Sequence, residues 1–196
     1  MTEAEQRTAA TRFYNDWRGI GDEKSDCQRF WIEFFSNVLG IENVTQKIVF
    51  EKRVVVDGQT KFIDVYIPET RVLIEQKSID KELDKKILQS DGSMRTPFEQ
   101  GRNYAQWMIP NETPLWIVAC NFKSFEIHDM NKPNEKPLVI SLEEMRSKLP
   151  LFDFMFKKDV KELSHEMEIS VKAGEIVGVL YDKLLEQYKD PTEESF

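Results

Sequence analysis

The sequence predicts a mixed α/β (α+β) fold, in which a central mixed sheet is flanked by helices. Three observations lead there. Two helical segments open the chain, three strand patterns follow one another directly, and a further helix separates these from another pair of strands. The resulting order is ααβββαββ.

The first helix is expected over Glu3 to Trp17. The second is expected to run from a cap at Ser25 or Asp26 through CQRFWIEFFSNVLG, with Gly40 supplying the stop. Phe30, Phe34 and Val38 recur at helical spacing, and Trp31 and Phe35 widen that stripe, so this helix must bury a broad apolar face. A sheet is its natural partner. KIVFEKRVVV alternates apolar and polar residues, Asp57-Gly58 is a hairpin turn signal, and KFIDVYI reads as the returning strand, ended by Pro68. RVLIEQK then gives a compact third strand, apolar through Val72, Leu73 and Ile74 before polarity returns at Glu75.

SIDKELDKKILQSDGSMR is dense in charge and turn formers, and reads as an exposed loop or partly helical excursion. A helix should begin near Thr96-Pro97, where proline suits the first turn, and should end before Pro110. LWIVACN and FEIHDM are the next two strands. Ser141 and Glu144 form a capping-box pattern at the head of SLEEMRSKL, LFDFMF is apolar without clear periodicity, and a long amphipathic helix is expected over residues 168–188.

At 196 residues the chain suits one main domain. Cys27 and Cys120 stand alone, and His128 and His165 have no partner at ligand spacing, which argues against a structural zinc site and for a reducing, cytoplasmic setting. There is no signal-peptide pattern and no apolar run of membrane-spanning length. The net charge of -8 means that any affinity for nucleic acid must be local or supplied by other domains.

The chemistry centres on Asp64, Glu75 and Lys77. Asp64 lies within one strand and Glu75 and Lys77 end the next, so antiparallel pairing brings them together, and period-two geometry puts Glu75 and Lys77 on one face. A carboxylate two residues before a lysine also occurs at Asp22/Lys24, Asp84/Lys86 and Asp159/Lys161, so the spacing alone has little meaning. Only Glu75/Lys77 terminates an apolar strand that follows another strand carrying an internal aspartate. Two carboxylates about 4 Å apart repel by roughly 4 kcal/mol at an effective dielectric near 20, which calls for a cation or a neutralising lysine. Hard oxygen donors suit Mg²⁺ or Mn²⁺, and the expected position lies between Asp64, Glu75 and the Gln76 carbonyl. Lys77 would orient a water and offset developing negative charge. On the following helix Gln100 and Tyr104 lie one turn apart on the same face, with Arg102 and Asn103 nearby.

FEKRVVV, FIDVYIPETRVLIEQKS, SDGSMRTPFEQGRNYA and WIVACNFKSFEIHDM, together with GEIVGVLYDKLLEQYKDPTEES, resemble the N-terminal region of MmeI-like, type IIL restriction-modification enzymes. The resemblance implies a restriction-endonuclease-like PD-(D/E)xK core with Asp64, Glu75 and Lys77 as its motif and Gln100 with Tyr104 matching the QxxxY feature of related nucleases. The literal proline before the aspartate is absent. It further implies a Mg²⁺-dependent endonuclease acting on double-stranded DNA. A helical connector, an adenine-N6 methyltransferase using S-adenosylmethionine and a target-recognition domain would then lie in the same polypeptide. No methyltransferase signature occurs in this chain, so that cofactor belongs to the absent part. The expected division is a nuclease domain over 1–160 and the start of the connector over 161–196. Lys52, Arg53, Lys61, Arg95 and Arg102 are candidates for local phosphate contacts, and one active site per chain suggests a transient homodimer for cutting both strands. The alternative is a catalytically silent nuclease-like module that docks DNA or contacts the other domains.

Overall fold

A computed structural model of the chain describes residues 1–157. The expected helix over 168–188 and the expected connector over 161–196 lie outside the described residues.

Helix α1 spans Glu3–Trp17 as the sequence predicts, and its N-terminus is closed by a capping box between Thr2 and Glu5. Helix α2 spans Glu23–Glu33. Its cap is Asp22, whose carboxylate accepts from the Lys24 and Ser25 amides, and not Ser25 or Asp26. The earlier start has a local cause: a carboxylate that can reach the amides two and three residues on satisfies two of the helix's orphan donors. The helix then widens into a π-helical turn at Phe34–Val38, closed by the Leu39 N–H donating to the Phe34 carbonyl at 3.0 Å. Widening the turn re-aims successive side chains, and Phe34, Phe35 and Val38 are all fully buried as a result. Gly40, at φ 70, ends the segment as expected. A short helix α3 at Val44–Lys47 leads into the sheet.

Strands β1 (Val49–Val56) and β2 (Gln59–Ile67) form the predicted hairpin, with Asp57 and Gly58 both at positive φ in the turn. Strand β3 (Val72–Gln76) pairs antiparallel with β2. The charged excursion differs from expectation: it contains a two-stranded ribbon, β4 (Ile87–Leu88) and β5 (Met94–Arg95), turning at Gly92. Helix α4 spans Pro97–Ala105 from a capping box between Thr96 and Glu99. Strands β6 (Trp116–Cys120) and β7 (Ser124–Asp129) follow as predicted. A further strand, β8 (Leu138–Ser141), was not legible in the sequence; it completes the sheet along β7. The capping box at Ser141 and Glu144 is present but heads only a single-turn helix α5 (Leu142–Met145), and the apolar segment after it is a 3₁₀ helix at Leu149–Met155.

The main sheet has six strands in the order β1-β2-β3-β6-β7-β8, mixed because β3 and β6 run parallel while the other neighbours are antiparallel. The molecule is therefore the mixed α+β structure with helix-flanked sheet that the sequence predicts. A parallel pair needs a crossover, and here the ribbon and α4 supply it. One face of the sheet, through Val65, Ile74, Val118 and Phe125, packs on α1, α2 and the 3₁₀ helix. The opposite face, through Ile63, Tyr66, Leu73 and Ile117, packs on α4 at Tyr104. Helix α4 sits close to the sheet because Gly101 has no side chain: a Cβ there would lie 2.9 Å from Leu73 Cδ2 and 3.1 Å from Ile117 Cγ2. Among the described residues no helix is long and apolar enough to cross a membrane.

Phe30 is the centre of the larger core. Its ring lies 4.9 Å from Phe13, 5.0 Å from Trp17 and 5.0 Å from Phe122, the last two edge-on. Phe30→Ala should therefore lower the unfolding free energy by about 3–5 kcal/mol, read from the urea midpoint. Phe62→Ala, on a side chain 50% exposed, should shift it by less than about 1 kcal/mol.

Candidate active site

The candidate residues converge at the C-terminal end of the parallel β3/β6 pair, the position where open sheets with crossovers present their ligands. Continuing the β2/β3 register one step beyond Val65↔Ile74 sets Asp64 opposite Glu75, but the ladder stops there. Instead, the Gln76 N–H donates to Asp64 Oδ2 at 2.7 Å, so the aspartate side chain does the work of a strand carbonyl. On its other side Asp64 faces Glu51 across the β1 register, and this step is also missing from the ladder. Glu51 has left-handed backbone, φ 50, a conformation that costs of order 1 kcal/mol for a residue with a side chain. The resulting kink breaks the alternation of β2: Ile63 and Tyr66 both face α4, whereas Val65 faces the aromatic core. Asp64 sits at the point where the sense changes.

Glu75, Gln76 and Lys77 are all buried, at 1%, 0% and 6% exposure. A solvated strand end is therefore excluded. Lys77 Nζ donates to Glu75 Oε1 at 2.7 Å, to the Gln76 carbonyl at 2.9 Å and to Glu23 Oε1 at 3.3 Å. Its backbone N–H donates to the Cys120 carbonyl at 2.7 Å, which extends the β3/β6 pairing to the site. The side chain of Gln76 turns to the other face, where its carbonyl accepts from Trp31 Nε1 at 2.9 Å and its amide donates to the Lys77 carbonyl at 3.0 Å. Trp31, legible in the sequence only as part of an apolar stripe, thus also fixes the strand that carries the site.

Glu23 is the residue that sequence reasoning missed. Placing the α2 cap three or four residues too late left Glu23 outside the helix as an apparently solvated charge; the capping aspartate just before it was the available signal. Its position depends on contacts between distant segments. The Ile79 N–H donates to the Gly21 carbonyl at 3.0 Å, and the Glu23 N–H donates to Ser78 Oγ at 3.0 Å. Gly21, at φ 145, lies so close to Phe122 that a Cβ would run into the ring, so no other residue fits this approach.

The electrostatics follow from the burial. Desolvation pushes the Asp64 carboxyl up to about 6, against the pull of Lys77 and the Gln76 amide. Desolvation, reinforced by the charge of Asp64, pushes Glu75 up to about 8. Burial disfavours the Lys77 ammonium, but the carboxylates of Glu75, Asp64 and Glu23 outweigh it and hold the group above its ordinary value. Glu75 Oε2 is buried without a hydrogen-bond partner. Such an atom costs about 1–3 kcal/mol unless something else satisfies it.

Gln100 and Tyr104 meet as the helical spacing predicts, with Gln100 Nε2 donating to the Tyr104 hydroxyl at 2.9 Å. Burial raises the Tyr104 phenol to about 12, with the charge of Glu75 adding to the effect, so this pair belongs to the same electrostatic neighbourhood. Gln100 Oε1 is the second buried oxygen without a partner. Among the basic candidates, Lys52 pairs with Glu112 at 3.0 Å, Arg95 with Asp91 at 2.8 Å, Lys61 donates to Ser90 at 2.7 Å and Arg53 reaches Thr60 at 3.4 Å.

The oxygens gathered here suit a hard divalent cation. Among the described residues no three His, Cys, Asp or Glu side chains form a metal-ligand group. The available donors are the Asp64 and Glu75 carboxylates and the Gln76 carbonyl, the sparse set with which Mg²⁺ is held when water and substrate fill its other positions. The bare Glu75 Oε2 fits that role.

No curated protein and no solved structure matches the chain significantly. The family model described as MmeI, N-terminal domain, matches residues 8–187, nearly the whole sequence, and the chain belongs to that family.

Proposed function

We propose that this chain is the Mg²⁺-dependent endonuclease module of a restriction-modification enzyme, a PD-(D/E)xK domain that hydrolyses phosphodiester bonds of double-stranded DNA. Family membership supports the restriction-modification setting. The observation that carries the hydrolytic reading is the buried Glu75 carboxyl, paired to Lys77 through one oxygen and bare at the other, with the Asp64 carboxylate held beside the same strand end by the Gln76 N–H.

Asp64, Glu75 and the Gln76 carbonyl would hold the ion, which supplies polarisation of the phosphoryl oxygen and a bound water of lowered pKa. The carboxylates around Lys77 hold its ammonium above the ordinary value, so its work is to orient the attacking water and to balance negative charge rather than to accept a proton. Glu23 restrains the ammonium from the helix side, and Gln100 with Tyr104 offers a positioned amide and hydroxyl from the opposite side. Adenine methylation, S-adenosylmethionine and target recognition are assigned to other domains of the parent polypeptide. A transient homodimer would bring two such sites to the two strands.

The net charge of -8, and an ammonium that already offsets Glu75, favour one other reading: a silent nuclease-like module that contacts DNA or neighbouring domains. Mn²⁺ titration separates the two, since the silent module would bind no ion.

In the parent enzyme Asp64→Asn, Glu75→Gln and Lys77→Ala should each reduce double-strand cleavage by roughly a hundredfold or more, while the purified variants keep their folded circular dichroism. Undiminished cleavage by all three would overturn the proposal.

The raised carboxyls also set a pH dependence. Glu75 holds its proton in the folded chain up to about 8, whereas unfolded it releases it near 4.5, so the folded state binds more protons between those values. Stability without metal should therefore fall as pH rises through that window. Mn²⁺ affinity should climb over the same window as Asp64 and Glu75 ionise. Thermal unfolding and Mn²⁺ electron paramagnetic resonance across pH check both trends, and Glu75→Gln should flatten both.

A further inference from the structure

Helix α4 has a second working face. Glu99, Arg102, Asn103 and Gln106 recur at helical spacing on the side turned to the β4–β5 ribbon, and with Lys86, Met94 and Arg95 they line an open groove of about 350 Å³. Its charge runs against that of the chain. Three cations face one carboxylate, in a molecule of net charge -8. That carboxylate, Glu99, is already engaged, accepting from the Thr96 N–H at 2.9 Å in the helix cap and standing 3.8 Å from Lys86. Arg102 has no ion pair and Asn103 and Gln106 no side-chain hydrogen bond among the described residues.

The far wall is held in place. Lys61 of β2, three residues before Asp64, donates to Ser90 at the head of the ribbon turn, and Arg95 bonds Asp91 across that turn at 2.8 Å. Leu88 and Met94, paired across the ribbon, stand exposed at 68% and 52%. The groove thus lies between α4, which also carries Gln100 and Tyr104, and a ribbon tied through Ser90 to β2, the strand that carries Asp64.

We propose that this groove binds the sugar-phosphate backbone of duplex DNA beside the cleavage site, with Arg102 and Lys86 contacting phosphates and Asn103 and Gln106 supplying neutral hydrogen bonds. The inference rests on the DNA-hydrolysing reading above and adds where the substrate lies. Guanidinium and ammonium groups match phosphate oxygens, amides accept or donate to the backbone without reading sequence, and such contacts position the duplex rather than select it.

The test is equilibrium binding of a short fluorescein-labelled duplex by the whole chain, followed by anisotropy in EDTA over a salt series, so that no cleavage occurs. The double variant Lys86→Ala/Arg102→Ala should weaken binding by about tenfold at low salt and reduce the slope of log affinity against log salt by about two, since each phosphate contact contributes roughly 0.9. Lys148→Ala, on a half-buried lysine outside the groove that pairs with Glu144, should bind as the wild type does. Both double-variant positions are exposed, so the urea midpoint should not move. Unchanged affinity and slope in the double variant, equal loss in Lys148→Ala, or no duplex binding by the wild-type chain at low salt would each overturn the groove. Cleavage by the parent enzyme reports separately: cleavage with unaltered groove variants rejects only the groove, and groove-dependent binding without cleavage or Mn²⁺ uptake rejects only the nuclease.

Discussion

Burying a carboxyl against an ammonium at the end of a strand is expensive, and the Glu75–Lys77 contact, at 1% and 7% side-chain exposure, is such a case; the desolvation shows in the Glu75 carboxyl, pushed up to about 8. The surrounding structure answers that cost atom by atom. The ammonium finds three oxygens from α2 and β3, the Gln76 amide is satisfied by Asp64, and the Gln76 side chain is anchored by Trp31. What is left over is one carboxylate oxygen with nothing to bind. A buried oxygen of this kind is rare in folded proteins, and it is the feature on which the proposed cation site rests.

Rigidity for this arrangement comes from the two faces of the sheet. The aromatic cluster around Phe30 immobilises α2, and the π turn lets Phe34 and Phe35 enter it together, so the N-terminus of α2 reaches the site with Glu23 in place. On the opposite face the missing side chain of Gly101 lets α4 approach Leu73 and Ile117, which brings Gln100 and Tyr104 toward Glu75. The parallel β3/β6 step puts the C-terminal ends of the two central strands at the site. Fold and site are thus coupled through close packing, and a displacement of either helix would be felt at the carboxylates.

Charge is divided in the same way. Within a net charge of -8, the carboxylate cluster and the groove on α4 lined by Lys86, Arg95 and Arg102 are separate local fields of opposite sign.

Local chemistry made much of this legible. The Asp57-Gly58 hairpin, the alternation of β1 and β2, the proline at the start of α4 and the capping serine of α5 act within a few residues, and sequence reading placed them all. Asp64, Glu75 and Lys77 were legible because a short turn makes their strands adjacent whatever the rest of the chain does. Strand β8 and the β4–β5 ribbon were not, since two to four residues carry too little period and need a partner edge or a packed helix to form. Nor was the kink at Glu51, which only the pairing of two strands reveals. Glu23 depended on Gly21, Ser78 and Phe122 meeting across more than fifty residues of chain. The sequence by itself therefore determined which candidate residues lie on neighbouring strands; tertiary packing alone decided that Glu75 and Lys77 are buried, joined by Glu23 and left with an unsatisfied Glu75 oxygen, because burial and long-range hydrogen bonds are properties of the assembled sheet and helices.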